Sequence, residues 1–259
     1  MTIERQLLKL AVAISLLTIC LDTRSVIAAE WSKIQKRGQI AIAVKNNLRP
    51  LAFIDRSGKL AGLEIDIAHR LAEELLGDRE AVDFHIVNNR NRLSAVLDDR
   101  VDIAIADIGR TTSRARIVDF SPYYYLDGTS LVTKQDNSTD LANFTQARIA
   151  VLKGSSTIAV IRHQFPQARL IGVDSYQEAL EVLATDTADA FAGDRTVLTG
   201  WIQEYPEYYL LPAKFSGAAL SIVMPKGLQY QELREKIKEA IDRWHQSGWL
   251  QKRIKYWGL

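Results

Sequence analysis

One cysteine, Cys20, stands in 259 residues, with two methionines and six prolines. A lone cysteine excludes an internal disulfide. With His69, His85, His163 and His245 scattered, no Cys/His group has metal-ligand spacing, and neither a metal nor a cofactor is expected. Charge of one sign is lacking too. The formal net charge of +2 offers no basic footprint for nucleic acid, and no nucleic-acid partner is expected. Long apolar runs are also scarce: the longest, residues 10–21, is too short to cross a bilayer comfortably. What remains, 47% hydrophobic and 25% charged, is an ordinary globular composition with mass for one large or two small domains.

Residues 1–29 read as a secretory signal peptide. Arg5 and Lys9 give a basic start, residues 10–21 an apolar centre, and the stretch Val26-Ile27-Ala28-Ala29 supplies the small Ala28 and Ala29 for cleavage after either. A membrane anchor in the same place needs a longer run. Cys20 ends a Leu17-Thr18-Ile19-Cys20 string that faintly resembles a lipoprotein box. Ile19 is large where a small residue belongs, so lipid anchoring at Cys20 is not expected. An exported chain whose only cysteine leaves with the signal must fold on its core, without disulfides.

The rest alternates strand and helix patterns. Residues 39–44 (QIAIAV) have the run of a buried strand, and residues 63–76 place Leu63, Ile67, Leu71 and Leu75 on one helical face ended by Gly77. Residues 82–87 read as a strand, 90–98 as a helix, and 101–108 as a strand again: a β-α-β-α-β series, hence a mainly parallel sheet covered by helices. Residues 123–134 read as loop and then strand, and the polar residues 135–139 as a linker. A second set follows: strands at 148–152, 168–173 and 188–192, with helices at 157–164, 176–184 and from Asp194 to about residue 204. A linking strand at 218–224 and helices at 230–246 and 249–256 close the chain, and the last helices have no sheet of their own to cover. Two lobes joined by two crossing strands, with a ligand cleft between them, fit this order. The expected boundaries are 30–133 for the first part of lobe 1, 134–223 for lobe 2, and 224–259 for the return to lobe 1. Hinges are expected near Lys134 and Gln135 and near Met224 and Pro225.

The chemistry centres on residues 101–125. Gly109 and Arg110 break the apolar strand, Thr111, Thr112 and Ser113 can start a helical turn, and Arg114 follows just past a strand end. In open α/β sheets that crevice takes ligands, and a guanidinium there matches a carboxylate. The residues alone favour a local ion pair over a ligand, because Asp102, Asp107 and Asp119 are near in sequence. Tyr123, Tyr124 and Tyr125 are open between stacking on a ligand and packing on the sheet.

Several motifs, in order, resemble the bacterial extracellular solute-binding proteins of family 3, the periplasmic amino-acid-binding proteins. They are GKLAGLEIDI at 58–67, VDIAIA at 101–106, TTSR at 111–114 with VDFSPY at 118–123, VLKGSS at 151–156, DAFAGD at 189–194 and YWG at 256–258. The resemblance implies an α/β, two-lobed periplasmic-binding-protein fold of type II. It implies a periplasmic monomer that binds an amino acid and serves a membrane ABC permease, and no enzyme. It places Arg114 on the ligand α-carboxylate, Asp194 on the α-ammonium, Ser155 and Ser156 beside the carboxylate, and the Ala106 carbonyl toward the ammonium. From the residues alone, Asp194, Ser155 and Ser156 serve equally as helix caps. Leu48 and Leu63 stand where the family commonly has aromatic walls, Asp107 where it often has glycine, and Gly109 where it often has threonine. Lys45, at the end of the first strand, favours an acidic or polar ligand side chain if it faces the cleft and not solvent. Two other functions share the fold: a periplasmic cyclohexadienyl dehydratase, and the sensing domain of a receptor or channel. No acid–base pair beyond that needed to hold a zwitterion stands out for the dehydratase.

Overall fold

A computed structural model describes residues 30–134 and 140–259; the signal peptide expected at 1–29, with Cys20, and the linker expected at 135–139 lie outside the described residues. Helix α1 (Trp31–Arg37) leads into β1 (Ile40–Val44), the meander β2 (Asn47–Leu48), β3 (Ala52–Ile54) and β4 (Leu60–Ala61), and helix α2 (Leu63–Leu76). Strand β5 (Val82–Ile86), the single turn α3 (Ser94–Leu97), β6 (Ile103–Ala104), the long β7 (Asp119–Asp127) and β8 (Thr129–Thr133) follow. Then come β9 (Arg148–Leu152), α4 (Thr157–Gln164), β10 (Arg169–Val173), α5 (Tyr176–Ala184), β11 (Ala190–Asp194), α6 (Arg195–Glu204) and β12 (Tyr209–Leu210). Strand β13 (Ala218–Met224) and helices α7 (Gln231–Gln246) and α8 (Trp249–Tyr256) complete the chain.

The strands form two five-stranded sheets, β5-β1-β6-β13-β7 and β10-β9-β11-β8-β12. In each, three strands run parallel: β5, β1 and β6 in the first, and β10, β9 and β11 in the second. The other two strands in each sheet run antiparallel to their neighbours. All five residues of β1 are buried, as both faces of a helix-covered sheet require. One face of the first sheet carries Ile40 and Ile42, packed with Ile67 and Leu71 of α2 and with the α7 stripe Leu233, Ile237, Ile241 and Trp244. The other carries Ala41, Ala43, Val96 and Val101. The second sheet is likewise covered on both faces, around Ile149 and Ile161 on one and Phe191 and Leu198 on the other. Fully burying one such Leu or Ile side chain contributes about 1.5–3 kcal/mol, so these faces hold each lobe without a disulfide. The last helices return to the first lobe: Arg253 pairs with Asp66 of α2, and the Trp257 indole donates to the same carboxylate at 2.7 Å.

Three expectations need correction. The boundaries 30–133, 134–223 and 224–259 place both crossings too late in the chain. Strand β8 pairs with β11 and β12 in the second sheet, and β13 pairs with β6 and β7 in the first. The chain therefore crosses at Gly128 and again near Ser216 and Gly217, not at Lys134 or Met224. The apolar runs of β8 and β13 are alike, and only their pairing assigns a lobe. The crossings lie against each other: Thr129 N–H donates to Ser216 Oγ at 3.0 Å, and a Cβ on Gly128 would stand 2.1 Å from the Ser216 carbonyl oxygen, a contact only glycine avoids. Residues 123–127, expected as loop, belong to the strand over 119–127, because β7 forms the sheet edge beside β13. The helix expected over 90–98 shrinks to Ser94–Leu97, since Asn88 and Asn91 side chains bind the backbone of the preceding turn.

Candidate functional site

The C-terminal ends of the parallel strands in both sheets point at the gap between the lobes. A cavity of about 790 Å³ fills it, lined by Lys45, Leu48, Arg92, Asp107, Gly109 and Arg114 from the first lobe, by Ser156, Tyr176 and Asp194 from the second, and by Asp127, Thr129 and Ser216 at the crossings. Arg90 and Arg110 also reach it, so five cationic side chains face three carboxylates, and the local field favours an anionic group.

Arg114 opens a single 3-10 turn after β6, and its guanidinium donates to the Gly109 carbonyl at 2.8 Å. The carboxylates near it in sequence are taken: Asp102 pairs with Arg37, Asp119 with Arg234 at 3.3 Å, and Asp107 with Lys45 and Arg92. Among the described residues no carboxylate stands within ion-pair distance of Arg114. Burial, then the Arg92 charge, pulls its pKa below the ordinary arginine range, the direction expected of a cation awaiting an anion.

Asp194 ends β11 and occupies the N-cap position of α6, yet its side chain makes no cap hydrogen bond. Asp127 does that work from the end of β7. Thr196 N–H donates to it at 3.2 Å, the Thr196 hydroxyl at 2.6 Å and Gly128 N–H at 2.8 Å. The Asp194 carboxylate is thereby left to the cleft. Burial, and then the negative Asp127, push it up to about 6, so a cation beside it would be well received.

Lys45 is 7% exposed and faces the cavity, 3.7 Å from Asp107, so it is no solvent-facing loop lysine. Asp107 is held in the left-handed region (φ 56°), which aspartate tolerates, with Arg92 3.6 Å from the same carboxylate oxygen that Lys45 approaches. Burial pushes its carboxyl up to about 7, and Glu64 adds to that, against the pull of Lys45 and Arg92. Beneath it Glu64, fully buried, accepts from Asp107 N–H and the Tyr124 hydroxyl, both at 2.6 Å. Burial raises the Glu64 pKa above its ordinary range and the Tyr124 pKa well above its own.

The remaining expected site residues divide. Gly109, Leu48 and Ser156 line the cavity. Ser155 does not, although its hydroxyl is buried without a partner among the described residues. Leu63 is fully buried in the first-lobe core, because it starts α2 on the face turned to the sheet. Ala106 is also fully buried, and its carbonyl accepts from Arg92 at 2.7 Å. The three tyrosines pack: Tyr124 on Glu64, Tyr125 in the core, and Tyr123 edge-on to His245. Sequence reasoning missed Arg92, Glu64, Asp127 and Tyr176. Arg92 lay inside an expected helix, and the acid at 127 ended what looked like loop. Among the described residues, no group of three or more His, Cys, Asp or Glu could hold a metal ion, and no helix is long and apolar enough to cross a membrane.

Comparison with known proteins gives the same architecture. The chain is 31% identical over 187 residues to the glutamine-binding protein of Geobacillus stearothermophilus, covering 71% of each. It is 27% identical over 227 residues to the ABC transporter glutamine-binding protein GlnH of Bacillus subtilis (strain 168), covering 86% of this chain and 82% of that one. Among solved structures, an ancestral cationic amino acid solute binding protein superposes with a TM-score of 0.77 at 23% identity, over 88% of this chain and 99% of the other, a likeness of fold. The model of the bacterial extracellular solute-binding proteins, family 3, matches residues 40–259, and the chain belongs to that family.

Proposed function

We propose that the protein captures an amino acid with a polar or acidic side chain between its lobes, outside the cytoplasm, and as a single chain delivers it to an ABC importer. One observation carries this reading: a guanidinium and a carboxylate, each without an ion-pair partner among the described residues, face one cavity from opposite lobes. A zwitterion leaving water needs both charges met. In this reading Arg114 takes the α-carboxylate, with Ser156 beside it at the start of α4, and Asp194 takes the α-ammonium. Lys45 takes an oxygen at the far end of the side chain, and Leu48 lines the aliphatic stem. The two relatives named as glutamine-binding support a carboxamide or carboxylate end. Calorimetry with glutamine, glutamate, arginine and lysine tests it. Glutamine or glutamate should bind most tightly, and Arg114→Ala should cost about 3–5 kcal/mol, a hundredfold or more. A folded Arg114→Ala protein of unchanged affinity would sink the assignment. An order led by arginine or lysine would remove the polar or acidic preference.

A dehydratase of the same fold is the second reading, favoured by one feature: Asp107, a carboxyl near neutrality inside the cavity, has the pKa of a general acid. Incubation with a cyclohexadienyl acid, followed by aromatic absorbance, tests it. No absorbance above the uncatalysed rate eliminates that reading.

A further inference from the structure

Beside the polar cavity lies a second space of about 370 Å³, also walled by both lobes. The two share Asn47, Leu48 and Tyr176, so they are neighbouring compartments of one cleft. Their walls differ. The second is built on Phe53 and Ile54 from the first lobe, and on Leu180, Trp201 and Tyr205 from the second. Ile54 and Tyr176 are 45% and 43% exposed, which is apolar surface left uncovered inside a concave site. The Arg49 guanidinium stacks 3.8 Å over the Phe53 ring and holds that wall flat. Trp201 is 7% exposed, and its indole N–H is buried with no hydrogen-bond partner among the described residues.

We infer that this compartment is a second subsite, which receives an apolar or aromatic tail joined by an amide to the side chain of an amino-acid head. The inference rests on the reading above for the head. The route to it passes Leu48 and Tyr176, on the side-chain side of the cleft, whereas Arg114 and the crossing near Ala218 lie in the polar compartment alone. The tail therefore extends from the ligand's side chain, not from its α-carboxylate. The ligand class is a γ-glutamyl amide of an aromatic or bulky apolar amine.

The test is calorimetry with glutamine and with L-glutamic acid γ-(4-nitroanilide), whose ring supplies the tail. The expected result is about tenfold tighter binding of the anilide than of glutamine. Gln177→Trp fills the compartment from an exposed position. It should abolish that gain and leave glutamine within about threefold. Glutamine bound with no gain for the anilide overturns the subsite and leaves the head reading intact. So does a Gln177→Trp variant that weakens both ligands alike. The anilide bound in a manner sensitive to Gln177→Trp, with neither glutamine nor glutamate bound, supports the subsite and removes the free amino acid as ligand. No binding of the anilide overturns the subsite however glutamine behaves.

Discussion

In the first lobe an aspartate beyond a parallel strand, Asp107, lies half-buried among Lys45, Arg92 and Glu64. In the second lobe Asp194 stands at the corresponding strand end with no hydrogen bond to its own helix. One side chain is committed to the structure, and the other is held in reserve. The difference comes from neighbours. Arg92 reaches back to the Ala106 and Asp107 carbonyls and fills the floor of the first lobe, whereas Asp127 crosses from the first lobe to cap α6 in place of Asp194. A charge is available to a ligand only where another group has taken over its structural duty.

The largest expected effect separates the two aspartates directly. Asp194→Asn should weaken ligand binding by about 3 kcal/mol, a hundredfold, by leaving a desolvated ammonium without its counter-charge, with little change in folding stability. Asp107→Asn should change affinity much less and should not destabilise the fold, since it replaces a buried carboxyl that burial already disfavours. Calorimetry and urea unfolding on the pair check this. Equal losses of affinity would erase the distinction.

Next comes the approach of the lobes. A Cβ on Gly200 of α6 would stand 2.2 Å from the Arg49 carbonyl across the cleft. Gly200→Ala should therefore wedge the lobes apart and cost roughly 1–3 kcal/mol of ligand affinity, about tenfold. The same change replaces a glycine inside a helix, so unfolding of the ligand-free protein should become harder by up to about 1 kcal/mol. Opposite signs in calorimetry and in unfolding are the signature. A loss of both would mean that the contact belongs to the ligand-free fold.

A smaller effect tests the cap. Asp127→Ala removes three hydrogen bonds, and with them about 1–2 kcal/mol of stability. Asp194, then the nearest acceptor, should turn toward the start of α6, and affinity should fall severalfold even though Asp127 is not assigned to the ligand's charges. Unchanged affinity in the destabilised variant would show that Asp194 needs no such release.

How much of this was legible in the sequence follows the same division. Apolar periodicity marked the strands and helices, since burial on one or both faces leaves a pattern in a single segment: α4, α5 and α8 fall at the expected residues. The strand-end positions of Asp194 and Lys45 were legible for the same reason, whereas the strand expected over 101–108 is only Ile103–Ala104 and Arg114 opens a 3-10 turn well beyond it. Partnership was not. The crossings at Gly128 and Ser216 depend on which sheet β8 and β13 join, and Leu63 went to the core because of the face α2 presents. Arg92 bonds to carbonyls 14 and 15 residues away, and Asp127 caps a helix 69 residues on. No local pattern encodes such pairings.

The subtlest way to sharpen the comparison is acidity. Asp107 near 7 and Asp194 near 6 both stand above the ordinary carboxylate range, and burial also raises Glu64, Asp102 and Asp127. A carboxyl whose pKa is higher folded than unfolded binds more protons in the folded state at intermediate pH. Its contribution is therefore full below the unfolded pKa and is lost as pH rises through the folded value. Asp189, lowered by its hydrogen bond to Arg148, works the opposite way, but its contribution is lost only as pH falls below the ordinary carboxylate range. Between about pH 7.5 and 5.5 the raised group prevails, and the ligand-free protein should gain about 1–2 kcal/mol on acidification, chiefly through Asp107. Asp107→Asn should flatten that slope. Ligand affinity should run the other way and fall below about pH 6, because protonated Asp194 no longer offers a charge to the ammonium. Urea unfolding and calorimetry across this window decide it: a slope that survives Asp107→Asn would place the raised carboxyl elsewhere in the cleft.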